Sequence, residues 1–250
     1  MTMIEICDLP RISMKRSDSL SESSQLQQLT AAQLGQEQHR GVLILDTRPA
    51  EEFASCHISG SMQIGLMGSF ASWAAILIGP SQRILLVTEN ANSAQEAHSR
   101  LVRVGLENVV GYTVTNKQQW QQHGLELTSI PIYRCEDVCH ALRANPSQQL
   151  IDVRSWAEWL QGHLPGAISM PLLELSGHTA PIDRSKPILV YCQEGYRATI
   201  AASMLLRDHF CDVRILNDGG VPKWQARSMP LEMPRDERVE SSLRGIRRTS

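Results

Sequence analysis

The sequence predicts an α/β protein made of two tandem units, each a parallel sheet with helices on both faces. Short apolar runs alternate with segments of helical periodicity, the pattern of strands buried between helices. Chemically matched residues recur 106 positions apart: Asp46 with Asp152, Arg48 with Arg154, Phe53 with Trp159, His57 with His163, and Gly60 with Gly166. A constant spacing through five such pairs marks an internal repeat and divides the chain into two units of roughly 100 residues. In both units an apolar run ends on Asp-x-Arg, so polar residues are delivered to the carboxyl edge of the sheet, where open α/β sheets hold their ligands.

Residues 1–25 are polar, with the run Ser17-Asp18-Ser19-Leu20-Ser21-Glu22-Ser23-Ser24, and read as a tail or linker. The first unit, 26–128, opens with a helical pattern from Leu26 to about Gln38 and continues into the strand Val42 to Arg48. Downstream the repeat spacing becomes 104, pairing Ile84 with Ile188, Thr88 with Cys192 and Trp120 with Trp224, so two loop residues differ between the units. Ser129-Ile130-Pro131 marks the boundary. The second unit, 131–235, reads as helix Ile132 to Arg143, strand Leu150 to Val153, short helix Ala157 to Gln161, strand Ile188 to Tyr191, helix Ala198 to Arg207 and strand Val213 to Leu216, before a flexible tail at 236–250.

A hydrophobic content of 42% with 20% charged residues is enough for a sizeable core. The net charge of −2 and aromatic content of 5% provide neither a basic field nor stacking platforms for nucleic acid. The longest apolar run, around Ala74 to Ile78, is far below membrane-spanning length, so no membrane partner is expected. With Glu5 and Asp8 and no continuous apolar stretch, the N-terminus does not read as a secretory signal, and a cytoplasmic location is the expectation. The six cysteines, Cys7, Cys56, Cys135, Cys139, Cys192 and Cys211, lack the spacing of a disulfide scaffold. Cys135 and Cys139, with His140 beside them, fit a buried helix face as well as a metal site, and a second ligand pair is absent.

Cys192 stands apart from these. It follows the buried run Ile188-Leu189-Val190-Tyr191 at once and precedes a helix, so loop N–H groups and the positive end of the helix dipole converge on its sulfur. That setting favours the thiolate. Four residues separate Cys192 from Arg197, one fewer than in the phosphate-binding cysteine loops of protein phosphatases. The tighter ring suits a single added sulfur atom better than a phosphoryl group. A cysteine phosphatase and a merely buried cysteine remain as other readings of this stretch.

Taken together, these residues resemble the rhodanese family of sulfurtransferases. In the second unit the matching elements are Asp152-Val153-Arg154, Glu158-Trp159, Gly162-His163-Leu164-Pro165-Gly166-Ala167, the loop Cys192-Gln193-Glu194-Gly195-Tyr196-Arg197, and Asp218-Gly219-Gly220 leading to Trp224. The first unit matches through Asp46-Thr47-Arg48, Glu52-Phe53, His57-Ile58-Ser59-Gly60 and Trp120, but has Thr88 where the cysteine belongs and Thr115-Asn116 where the paired glycines belong. More narrowly, Ile64-Gly65-Leu66, Phe70-Ala71-Ser72-Trp73 and the Cys192 loop are similar to the tandem rhodanese region fused behind a metallo-β-lactamase-fold hydrolase in persulfide-oxidising proteins. No His-x-His-x-Asp-His cluster occurs among the eight histidines, so that hydrolase and its metal chemistry are not carried over.

The resemblance implies sulfane-sulfur transfer by double displacement, with Cys192 as nucleophile. A small donor, thiosulfate or glutathione persulfide, would load it, and a thiol or cyanide would accept the sulfur. A carrier role serving a persulfide-processing partner protein is the alternative. The amides of Gln193, Glu194, Gly195, Tyr196 and Arg197 would cradle the persulfide, with Gly195 where φ is positive or space is short. Arg197 has two roles open to it: fixing an anionic donor, which is favoured, or pairing with a rim carboxylate. Asp152, Arg154 and His163 read as supporting residues that hold the loop and the Gly-His-x-Pro-Gly turn in shape. No metal and no cofactor is implied, and Thr88 leaves the first unit silent in sulfur transfer.

Overall fold

The computed structural model describes residues 26–175, 179 and 182–234; the tails expected at 1–25 and 236–250, and Cys7, lie outside the described residues. The first unit runs α1 (Ala31–His39), β1 (Leu43–Asp46), α2 (Ala50–Ser55), β2 (His57–Ile58), β3 (Met62–Gln63), α3 (Phe70–Leu77), β4 (Ile84–Thr88), α4 (Ala91–Val102), β5 (Val109–Val114), α5 (Lys117–Gln122) and β6 (Leu127–Thr128). The second runs β7 (Ile132–Tyr133), α6 (Cys135–Ala144), β8 (Gln149–Asp152), α7 (Trp156–Trp159), β9 (Ile168–Ser169), α8 (Leu172–Leu175), β10 (Ile188–Tyr191), α9 (Tyr196–Arg207), β11 (Val213–Leu216) and α10 (Gly220–Ala226).

Each unit has its own sheet, in the orders β3-β1-β4-β5 and β7-β11-β10-β8-β9, and the strand pairs within both sheets are parallel. Every residue of β4 and β10 is buried, as expected of strands covered on both faces by helices. Strand order reverses between β1 and β4 in one sheet and between β8 and β10 in the other, and the carboxyl ends at such a reversal are where open α/β sheets place their ligands. The repeat extends into features invisible as motifs. The antiparallel pairing of His57 with Thr128 has its counterpart in a bridge between His163 and Glu232.

Two expected helices begin later than their apolar patterns. Leu26 to Leu29 are not helical: Leu29 N–H donates to the Tyr112 carbonyl (2.7 Å) and Tyr112 N–H to that of Gln27 (2.9 Å), extending the sheet beyond β5. The helix starts only after Thr30, whose hydroxyl accepts from Gln33 N–H while the Gln33 side chain accepts from Thr30 N–H, a capping box. Likewise Ile132–Tyr133 is an edge strand on β11, and the helix begins at Cys135. In both places apolar side chains that fit a helical period are used to pair with a sheet edge.

The units share one apolar core. Leu45, Phe53 and Phe70 of the first belong to the same buried cluster as Ile200, Ala201, Ala202 and Leu205 of α9 in the second. Helix α9 packs on β10 and β11 and also on β3 and α2 of the first unit. A helix covered in this way needs little polar surface, and its residues from Ala198 to Ser203 are all buried. Ser203 is satisfied across the boundary, its Oγ accepting from Gln63 N–H at 3.0 Å.

Candidate active site

Strand β10 delivers Cys192 to the carboxyl edge of its sheet with 1% of its surface exposed. The chain then turns through Gln193, Glu194 and Gly195 and enters α9 at Tyr196, two residues earlier than the apolar pattern predicts. Gly195 takes φ +106° and donates its N–H to Cys192 Sγ at 3.0 Å. Only glycine fits, because a Cβ there would collide with the Asn217 side chain as well as strain the backbone. From the other side Gly220 (φ +48°) lies against the Cys192 and Gln193 carbonyls, where a Cβ would overlap them, so the Asp218-Gly219-Gly220 run is what lets α10 close on the loop. The sulfur thus sits beside an amide donor at the start of a twelve-residue helix.

Arg197 differs from its favoured expectation. Its Nη1 and Nη2 donate to Glu158 Oε2 and Oε1, both at 2.7 Å, so the guanidinium fork is already matched to a carboxylate and is not open to a donor. Glu158 is held further by Ser155 N–H (3.0 Å) and Oγ (2.7 Å). The Arg197 hydrogen bonds, outweighing desolvation, push the Glu158 carboxyl down to about 2. Sequence reasoning placed Glu158 in a matching motif without a role; the signal was the capping box Ser155-x-x-Glu158 at the start of α7.

Asp152 and Arg154 form a buried pair. Asp152 accepts from Arg154 N–H (2.9 Å), Nε (3.0 Å) and Nη2 (2.7 Å), and Nη2 also donates to the Gly162 carbonyl (2.8 Å). The pair therefore ties the end of β8 to the glycine turn rather than to the cysteine loop. His163, in that turn, stacks on Trp159 at 3.4 Å between ring centroids and pairs through its backbone with Glu232. Tyr191, directly before Cys192, accepts from Leu164 N–H (3.1 Å); burial pushes its phenol above the ordinary range. Of the remaining loop side chains, Gln193 is half-buried, Glu194 is exposed, and Tyr196 donates its hydroxyl to the Gly65 carbonyl of the first unit at 2.9 Å.

In the first unit the same scaffold surrounds a different loop. Arg48 binds Asp46 through Nε (2.9 Å) and Nη2 (2.6 Å) and reaches the Cys56 carbonyl (3.0 Å), while His57 stacks on Phe53 at 3.8 Å. Thr88 is fully buried and donates to the Asn90 carbonyl at 3.1 Å. Asn90 caps α4, which begins at Ala91, so this turn has one residue fewer than its counterpart. Cys135 lies under α10 with its Sγ facing the Gly220 and Asp218 carbonyls, and burial pushes its thiol up. Among the described residues no group of three His, Cys, Asp or Glu is arranged to hold a metal ion.

Two α/β units, one of them presenting a buried cysteine in a helix-terminal loop, define the class. The rhodanese-like domain model matches residues 30–123 and 136–227, and the chain belongs to that family, with two rhodanese-like domains in tandem. Among curated relatives, the thiosulfate sulfurtransferase GlpE of Stutzerimonas stutzeri is 30% identical over 98 residues, covering 39% of this chain and 87% of that protein. A sulfurtransferase of Allochromatium vinosum is 29% identical over 86 residues, covering 34% of this chain and 78% of that one. An HTH-type transcriptional regulator of Mycobacterium tuberculosis is 33% identical over 84 residues, and the match spans 33% of this chain and 37% of the regulator.

Proposed function

We propose that the protein is a rhodanese-type sulfurtransferase with one competent site, at Cys192, and a silent first domain. The observation that carries this is the Gly195 N–H on Cys192 Sγ at the N-terminus of α9. The Cys192 thiolate attacks the outer sulfur of a donor, forming Cys192–S–S⁻ and releasing the donor's remainder, a thiolate from a persulfide or sulfite from thiosulfate. A thiol or cyanide then attacks the outer sulfur, leaves as persulfide or thiocyanate, and returns Cys192 to the thiolate. The loop amides balance the anionic persulfide.

Arg197 is occupied by Glu158 and Glu194 is exposed on the rim, so the loop carries no free cation for a dianion. This supports a persulfide of low charge, of the glutathione persulfide type, over thiosulfate as donor. Cys56, Cys135, Cys139, Cys192 and Cys211 are free thiols, as a cysteine nucleophile in a reducing compartment would be, and no described helix is long and apolar enough to cross a membrane. The test is steady-state turnover with thiosulfate and cyanide beside turnover with glutathione persulfide, together with mass spectrometry of donor-treated protein. One added sulfur on the Cys192 peptide with turnover supports the enzyme. The same adduct without turnover makes the protein a persulfide carrier for a partner, and an adduct on another cysteine overturns the assignment.

A further inference from the structure

The amide that faces Cys192 Sγ belongs to a glycine, the residue with the widest choice of backbone conformation, so its aim depends on what surrounds it. Two side chains of the second unit hold Gly195, one at its carbonyl and one at its Cα. Thr199, fully buried in the first turns of α9, donates both its N–H (3.0 Å) and its hydroxyl (3.1 Å) to the Gly195 carbonyl. The N–H bond is the helix's own, and the hydroxyl adds a second donor to the same oxygen. Asn217, the residue after β11, places its Oδ1 1.6 Å from where a Cβ on Gly195 would sit, so it is in contact with the Gly195 Cα and blocks movement to that side.

The Asn217 amide is held in one orientation. Its Nδ2 donates to Glu51 Oε1 at 2.8 Å, and a carboxylate only accepts, so the oxygen is the end left to face Gly195. With the Cα stopped and the carbonyl fixed, the Gly195 N–H is kept on the sulfur. A glycine freed from these contacts can turn the peptide that precedes it, which would bring the Glu194 carbonyl toward the sulfur in place of the N–H. The first unit has neither part of this arrangement. The spacing of 104 puts Thr113 where Asn217 stands, its hydroxyl is turned to the Val114 carbonyl (3.5 Å), and no glycine follows Thr88 in the turn.

Building on the sulfur-accepting role proposed for Cys192, we infer that Asn217 and Thr199 are positioning residues for sulfur transfer, which clamp Gly195 so that its N–H stays on the nucleophile. Both act through Gly195, and neither belongs to the loop from Cys192 to Arg197.

Three variants of the full chain test the clamp: Asn217→Ala removes the stop at Cα, Thr199→Val removes the hydroxyl at nearly constant shape, and Thr199→Ser restores it. Alkylation of the Cys192 peptide by iodoacetamide is followed by mass spectrometry at pH 7 and at pH 10, where an ordinary cysteine is ionised without help. The ratio of the pH 7 rate to the pH 10 rate should fall about threefold to tenfold in Asn217→Ala and in Thr199→Val, the span of one hydrogen bond's net contribution. Thr199→Ser should keep the ratio of the unaltered protein. The double variant Asn217→Ala/Thr199→Val should lose less than the product of the two single effects, because both act on one glycine. The rate of sulfur loading from glutathione persulfide at pH 7 should fall in parallel. A variant that merely unfolds bares the buried Cys192 and alkylates faster at both pH values, in which case the other single variant decides. An unchanged ratio in Asn217→Ala and Thr199→Val, equal slowing at both pH values, or a Thr199→Ser ratio as low as that of Thr199→Val overturns the clamp. If no donor adds sulfur to Cys192 while the alkylation ratio falls as expected, the clamp stands and the transfer reading falls.

Discussion

After β4 the chain turns into α4 through Glu89 and Asn90, while after β10 it turns into α9 through Gln193, Glu194 and Gly195. Around both turns the scaffold is the same: a buried Asp-x-Arg pair on the neighbouring strand, an aromatic ring stacked on histidine, and a helix starting at the carboxyl edge. One turn ends on an asparagine whose side chain caps the helix, and its buried threonine donates to the asparagine carbonyl. The other ends on a left-handed glycine whose N–H faces sulfur. The comparison teaches that one extra residue and a glycine turn a helix start capped by a side chain into one whose backbone amide faces sulfur.

Replacing the nucleophile breaks the comparison most severely. Cys192→Ser should reduce sulfur transfer to background in a coupled assay, whereas single serine variants of Cys7, Cys56, Cys135, Cys139 and Cys211 should keep it. Transfer that survives in Cys192→Ser would place the chemistry elsewhere.

The first unit makes its own contribution to stability, and pH exposes it. Burial holds the His57 imidazole at about 4, while its Nδ1–H bond to the Phe53 carbonyl (2.8 Å) and the Phe53 stack fix the neutral ring. Between about 4 and the ordinary value of about 6.5 the unfolded chain binds a proton that the folded chain does not, so stability falls as pH drops through that window. His57→Gln should flatten this acid limb by on the order of 2 kcal/mol in urea titrations at pH 7 and pH 4.5. An identical slope in the variant would assign the limb to other groups.

A smaller effect is expected at Glu194, whose charge the first unit's loop does not place beside a nucleophile. Glu194→Ser should raise kcat/KM for thiosulfate by about threefold relative to glutathione persulfide, most clearly at low ionic strength. Equal changes for both donors would leave Glu194 as an ordinary solvated side chain. The smallest effect sharpens the comparison directly. Thr88→Cys should add no measurable turnover, because its turn lacks the residue and the glycine that aim an amide at sulfur; doubled turnover would show that the nucleophile alone separates the two units.

The fold class and the cysteine loop were legible in the sequence because both leave local marks. Buried strands read as apolar runs, and Asp-x-Arg, Gly-His-x-Pro-Gly and Cys-x4-Arg are short motifs. Leu26 to Leu29 and Ile132–Tyr133 were misread as helix because an apolar period cannot distinguish a helix face from a brief sheet-edge pairing. The fate of Arg197 was illegible for a related reason: Glu158 is 39 positions away, and only the fold brings them together. The hydrogen bond from the Tyr196 hydroxyl to the Gly65 carbonyl was illegible in the same way, since the two residues are 131 positions apart.

The burial of α9 against both sheets bears on how the chain persists as a unit of inheritance and turnover. Cut near Pro131, the second half would bare the flank of α9 that packs on β3 and α2, together with Ser203 deprived of Gln63, and would present a sticky face to its copies. The two halves should therefore unfold in one transition in a thermal melt. A half with Thr88 in place of a cysteine still covers the flank of α9 that the other half leaves open.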